Sequence, residues 1–150
     1  MLPTRKLGKT NYQATIFGLG GEGILRTSGY FNEAESVIKK AIKVGVNYFD
    51  TAPAYQQSRD YLGKFLWKYT KREKVFLASK THDRSYQGTW SLVEDSLRRL
   101  NTDYIDLLQL HDLREKEDLN EIFSANGAIH ALEELKKQGK VRFLGITGPL

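Results

Sequence analysis

Tyr104-Ile105-Asp106-Leu107-Leu108-Gln109-Leu110-His111 reads as an unbroken buried strand over residues 104–110 that closes on an imidazole. Two earlier segments have the same form. Asn47-Tyr48-Phe49-Asp50 is a short strand over 46–49 closed by a carboxylate, and Phe76-Leu77-Ala78-Ser79-Lys80 is a strand over 75–79 closed by an ammonium. If these strands run parallel, Asp50, Lys80 and His111 emerge at one end of one sheet. In parallel α/β folds the carboxyl ends of the strands are where active sites are built.

The segments between them are helical in pattern. Asn32 with Glu35 forms a capping-box spacing, and behind it Ala34, Val37, Ile38, Ala41 and Ile42 share one face until Gly45 stops the helix. A second helix buries Tyr61, Leu62, Phe65, Leu66 and Tyr69, and a third is striped by Trp90, Val93, Leu97 and Leu100. Ile129, Leu132 and Leu135 mark a fourth, closed by Gly139, and residues 141–146 form a last strand. At the N-terminus, residues 4–7 and 14–17 flank Gly8-Lys9-Thr10-Asn11 as a hairpin, and residues 16–21 read as the first buried strand. Five strands alternating with four helices, without a hairpin after the first segment, predict an α/β fold with a parallel sheet and crossover helices.

Whether that sheet winds as a flat doubly wound layer or as a barrel turns on Gly18-Leu19-Gly20-Gly21-Glu22-Gly23, which matches G-x-G-x-x-G. In a dinucleotide fingerprint the last glycines open a helix, and an acidic residue follows about 20 positions on. Here a loop over 24–31 intervenes, and the corresponding position falls on an apolar helix face. A tight turn beside a strand end is the better reading.

Composition narrows the chemistry. Cysteine is absent, which removes disulfides, thiolate nucleophiles and thiolate metal sites. The net charge of +5 comes from interspersed signs and not from a basic stripe, which argues against a nucleic-acid partner. No apolar run is long enough to span a membrane and no signal-peptide core follows Met1, so the expected address is cytoplasmic. His82, His111 and His130 lack metal-ligand spacing, and the acidic cluster Asp112, Glu115, Glu117 and Asp118 reads as a solvated loop; no metal is expected.

Taken singly, Asp50 fits a turn before Thr51-Ala52-Pro53, Lys80 a solvated strand end, His111 a core histidine and Tyr55 the surface. Their coincidence at one face favours chemistry. It is also where the chain resembles the N-terminal half of an aldo-keto reductase. Asp50-Thr51-Ala52-Pro53-Ala54-Tyr55 is similar to that family's aspartate-to-tyrosine segment, and Lys80 and His111 to the other two members of its tetrad. Residues 96–107 and 139–146 also resemble family signatures.

The resemblance implies the first half, about five strands, of a (β/α)8 TIM barrel with an N-terminal β-hairpin, residues 1–150 being the N-terminal part of one barrel domain. It implies an oxidoreductase that reduces a small aldehyde or ketone to an alcohol with NADPH, NADH being the alternative. Asp50, Tyr55, Lys80 and His111 would be catalytic: Tyr55 the proton donor, Lys80 the cation beside it, Asp50 the group orienting Lys80, and His111 a hydrogen-bond partner for the substrate oxygen. Gly20, Gly21, Glu22, Asp50 and Thr147 would edge the cofactor. Two departures stand out. The family's fifth strand usually ends in a serine-asparagine pair, whereas this one ends Gly145-Ile146-Thr147-Gly148, and a complete barrel takes about 250 residues. The competing expectations are a weakly active binding or regulatory module, and a truncated half-barrel whose open edges invite self-association.

Overall fold

A computed structural model describes residues 2–149. The hairpin forms first: β1 (Thr4–Lys6) pairs antiparallel with β2 (Gln13–Thr15), Arg5 opposite Ala14. Then follow β3 (Leu19–Gly20), a single helical turn α1 (Gly23–Arg26), α2 (Phe31–Lys43), β4 (Tyr48–Asp50), α3 (Ser58–Tyr69) and β5 (Phe76–Thr81). The remaining elements are α4 (Tyr86–Leu100), β6 (Ile105–Leu110), α5 (Lys116–Ile122), α6 (Ala128–Lys137) and β7 (Val141–Ile146). No helix among the described residues is long and apolar enough to cross a membrane.

The five strands β3 to β7 form one parallel sheet in strict sequence order. A doubly wound sheet reverses direction at a switch point, whereas a barrel adds each strand beside the last. This order is the barrel's. The register climbs as a tilted barrel requires: Asp50 pairs with Ala78 and Lys80 with Gln109. Lys80 therefore sits one inward position above Asp50's partner, and His111 one above Gln109.

Outside the sheet, Ile38 of α2 and Leu62 and Leu66 of α3 pack with Phe49 and Leu77, while Val93 and Leu97 of α4 and Leu132 and Leu135 of α6 pack with Ile105, Leu108 and Val141. Inside, the stack of Tyr48 on Phe76 (5.5 Å between centroids) and of Phe76 on Phe143 (6.2 Å) fills the end where the strands begin. The hairpin closes that end: Tyr12 tilts against Phe76 at 4.9 Å and its hydroxyl donates to the Lys74 carbonyl at 3.1 Å. The opposite end, at the strand carboxyl termini, is left for Asp50, Lys80 and His111.

Four local expectations are corrected. The strand expected over 16–21 shrinks to Leu19–Gly20, because the Thr15 hydroxyl ties the chain to the Phe17 carbonyl and β3 is an edge strand; Ile16 and Phe17 stay about 60% exposed. The Asn32 capping box is not made. The Tyr30 amide at the start of α2 donates instead to the Tyr61 hydroxyl (3.0 Å), and Glu35 is engaged by Lys68 and Tyr69. The acidic segment expected as a loop forms α5, with Asp118 accepting from the Arg114 and Glu115 amides at its start. The loop expected over 24–31 likewise begins inside α1, whose Leu25 is buried.

Candidate active site

Asp50 is the last residue of β4, and one of its carboxylate oxygens accepts from the Lys80 ammonium at 2.6 Å. Lys80 is 6% exposed, so its charge is compensated inside the protein; the Thr51 carbonyl takes a second donor at 3.1 Å. A buried ammonium without such partners would cost several kcal/mol. The strand end that carries Asp50 is itself braced. Thr51 donates its amide to Ala78 and its hydroxyl to Ser58 at 2.8 Å, and Gly21 lies so close behind that an added Cβ would stand 2.2 Å from the Ser58 hydroxyl and 2.7 Å from the Asp50 carbonyl. Gly21 is thus required by packing at the back of Asp50.

Tyr55 ends the short 3-10 turn Pro53–Tyr55, which Pro53 opens and Gln56 closes at φ +40, a left-handed conformation that few non-glycine residues adopt. The turn folds the ring over the ion pair. The Lys80 ammonium lies 4.9 Å from the ring centroid, within cation–π range, and the His111 imidazole meets the same ring edge-on at 5.8 Å and 89°. Lys80 was expected between the Asp50 carboxylate and the Tyr55 hydroxyl. It does stand close to both residues, but it lies over the phenol ring and makes no hydrogen bond to the hydroxyl; its two hydrogen bonds go to Asp50 and Thr51.

His111 follows β6, its amide donating to the Thr81 carbonyl at 2.8 Å. Partial burial, and next the Lys80 ammonium, hold its imidazole below the usual histidine range, against smaller opposite pulls from Asp112 and Asp50. The ring is therefore neutral at neutral pH and able to donate from one nitrogen and accept at the other. A folded-state pKa lowered this way means that the unfolded chain binds more protons below about 6.5. Stability from this group is present above that pH and is lost as pH falls toward the folded value. We expect urea midpoints to drop on acidification from pH 7 in this window, and His111→Gln to remove part of that slope; an unchanged slope in the variant would assign it to other groups.

The remaining residues singled out in the sequence lie at or just past the ends of the two outer strands. Gly20 is exposed and pairs with Asp50 in register, and a Cβ there would meet nothing within 4 Å. A cavity of about 320 Å³ runs along this inner face from Ala14 to Asp50. Glu22 is exposed and paired with Arg26 at 3.1 Å. Across the sheet, the Thr147 hydroxyl accepts from the Asp112 amide at 3.0 Å. Asp50, Tyr55, Lys80 and His111 are thus brought together, while Gly20 and Glu22 flank them on one side and Thr147 on the other. Ser58 and Thr51, which brace Asp50, gave no signal in the sequence, since a hydroxyl seven residues from its partner has no recognisable spacing.

Residues 16–149 match the model of the aldo/keto reductase family. Among curated proteins the chain is 35% identical over 155 residues to L-galactose dehydrogenase of Arabidopsis thaliana, an overlap covering 96% of this chain and 48% of that one. It is 34% identical over 159 residues to the aldo-keto reductase YhdN of Bacillus subtilis, covering 94% and 45%. Among solved structures it superposes on the holo form of a Bacillus halodurans aldo-keto reductase with a TM-score of 0.82 at 31% identity, over 99% of this chain and 51% of that one. An aldo/keto reductase of Klebsiella pneumoniae, solved in complex with NADP and acetate, superposes with a TM-score of 0.78 at 26% identity, over 97% and 50%. The chain spans about half the length of the curated relatives it matches. Sheet order, the placement of four polar residues at one strand end and these matches agree, and the chain belongs to the aldo/keto reductase family.

Proposed function

We propose that this protein is the N-terminal part of a reductase that converts an aldehyde or ketone to an alcohol with NADPH, in a cytoplasmic setting, with Tyr55 as proton donor. The observation that carries this reading is the buried Lys80 ammonium, paired with Asp50 and lying over the Tyr55 ring, with His111 at the ring's edge. The residues present fit the nicotinamide end of such a cofactor. At Gly20, where an added Cβ would meet nothing within 4 Å, backbone borders a cavity of about 320 Å³ that reaches Asp50. Gly20, Glu22, Asp50 and Thr147 would edge that ring, with Gly21 holding the Asp50 backbone behind it.

When bound, the cofactor supplies a hydride to the carbonyl carbon. Tyr55 gives its hydroxyl proton to the carbonyl oxygen, and the nearby Lys80 charge steadies the phenol oxygen as the proton leaves. Asp50 fixes the ammonium in place. His111, neutral and half-buried, donates a hydrogen bond to the same carbonyl oxygen and sets its angle. The test is NADPH oxidation with a panel of aldehydes and ketones, repeated with NADH, in a form of the protein carrying all eight barrel strands. No turnover above background would sink the proposal.

One observation favours a second reading for the 150 residues alone. Here β3 and β7 are unpaired sheet edges, and Ile16, Phe17 and Ile146 near them are 60% or more exposed. Unpaired strands and apolar patches invite association. The chain by itself is expected to self-associate and to bind NADPH weakly, since positioning depends on contacts around the whole cofactor. Sedimentation together with calorimetry checks both; a monomer binding NADPH at micromolar concentration would show that the chain is a functional unit by itself.

A further inference from the structure

Arg84 lies in the turn between β5 and α4, and its backbone is fixed there: the Ala128 amide donates to its carbonyl at 2.7 Å, and Ser85 bridges Gly127. From this base the side chain, 11% exposed, reaches across the mouth of the sheet. One terminal nitrogen, Nη2, donates to the His111 carbonyl at 2.9 Å and to the Asp112 carbonyl at 3.2 Å, while Nε donates to Asp118 at 3.0 Å. The third nitrogen, Nη1, is buried with no partner, a cost the structure carries to keep the other two in place. The second oxygen of Asp118 accepts from the Arg114 amide at 2.9 Å, so the carboxylate joins the guanidinium to the start of α5.

What the fork holds is the segment just past β6, and that segment needs holding. Asp112 has φ +58, an unfavourable conformation for a residue with a Cβ. On the other side, the Asp112 and Leu113 amides bond only to Thr147 at the end of β7. Remove the fork and the carbonyls of His111 and Asp112 lose their side-chain donor, leaving the turn that aims the His111 ring tied by the His111 amide to Thr81 and by the two amides beyond it to Thr147.

We infer that Arg84 and Asp118 form a positioning pair that sets the His111 imidazole against Tyr55, and so fixes the direction from which a substrate oxygen is received. The inference rests on the reductase reading only for its catalytic consequence. The geometric claim stands by itself. The charged and titratable groups facing His111 are Lys80 and His82 of β5 and its turn, Asp50 of β4, Tyr55, and its neighbour Asp112.

The decisive variant is Asp118→Asn, which keeps size and shape but offers one acceptor oxygen where the carboxylate uses two. The His111 imidazole is titrated by NMR in the 150-residue protein, its signal identified among His82, His111 and His130 by its loss in His111→Gln. Removing an anion by itself would lower the His111 pKa, whereas release of the ring from burial and from Lys80 would raise it toward the ordinary value. We expect the rise. We also expect Arg84→Gln to move it the same way, and the double variant to add little beyond either alone.

In the eight-stranded reductase, the same substitutions should lower kcat by about 10- to 100-fold while leaving the NADPH KM near its original value. A His111 titration that stays put or moves down in Asp118→Asn overturns the inference. Failure of the reductase proposal would appear separately, as absence of turnover in the unsubstituted protein, with the imidazole titration still reporting on the clamp.

Discussion

Tyr55→Phe in an eight-stranded form of the protein is expected to lower carbonyl reduction by on the order of 10²- to 10⁴-fold, the usual cost of losing a general acid. The substitution deletes one oxygen and leaves the ring. That ring is what packs against the Lys80 ammonium and the His111 edge, so the arrangement of the other three residues should persist. Cofactor affinity should change little, since Gly20 in β3 and Thr147 just past β7 lie away from the Tyr55 hydroxyl's own turn. The measurement is kcat/KM for one aldehyde beside a fluorescence titration of NADPH. Near-normal turnover would move the acid role to His111, which a pH profile of Tyr55→Phe would then reveal. A loss of cofactor binding equal to the loss of rate would mean that the ring, and not its hydroxyl, matters.

Much of this geometry was legible because strand ends are a local property. Asp50, Lys80 and His111 each terminate an apolar run, and once the runs pair in order their last residues must meet at one end of the sheet. Tyr55 was legible only through its resemblance to a known segment, because its position depends on a turn with a strained Gln56 that no periodicity announces. The misreadings of Glu35 and Asp118 share one physical origin. Local polar patterns were assigned to local partners, and the structure spends them on distant ones. Glu35 is not given to a helix cap but to Lys68 and Tyr69 on the next helix. Asp118 is not left to solvent but joined to Arg84, 34 residues earlier. The Lys80 ammonium likewise gives one of its hydrogen bonds to the Thr51 carbonyl, supplied by the neighbouring strand's end, and none to the Tyr55 hydroxyl.

At the other end of the sheet Asp106 shows how far such a partner can matter for stability. In the sequence it is the charged residue within the buried strand over 104–110, and in the structure it is 2% exposed. One carboxylate oxygen accepts from Arg72 at 2.6 Å and from the Leu77 amide at 2.9 Å; the other accepts from Arg142 at 2.8 Å. A side chain thus takes an amide of β5, below the point where β5 and β6 begin to pair at Ala78 and Leu107. Arg72 is committed as well: it donates to the Val75 and Tyr104 carbonyls and stacks on the Tyr104 ring at 3.8 Å, so it cannot swing into water without breaking these contacts. Asp106→Ala would leave a mostly buried guanidinium and a buried amide without their acceptor. Breaking a buried pair by removing one partner costs about 3–5 kcal/mol, and domains of this kind have only about 5–15 kcal/mol to lose. We expect Asp106→Ala to unfold at a much lower urea concentration, or not to fold. Asp106→Asn, which can still accept from Leu77 but lacks the charge, should fall between it and the unsubstituted chain. Replacing Arg142, which is 53% exposed, should cost far less than replacing Asp106, since a freed surface partner can be solvated. Equal urea midpoints for Asp106→Ala and Arg142→Ala would refute this account, because they would mean that burial of the carboxylate contributes nothing.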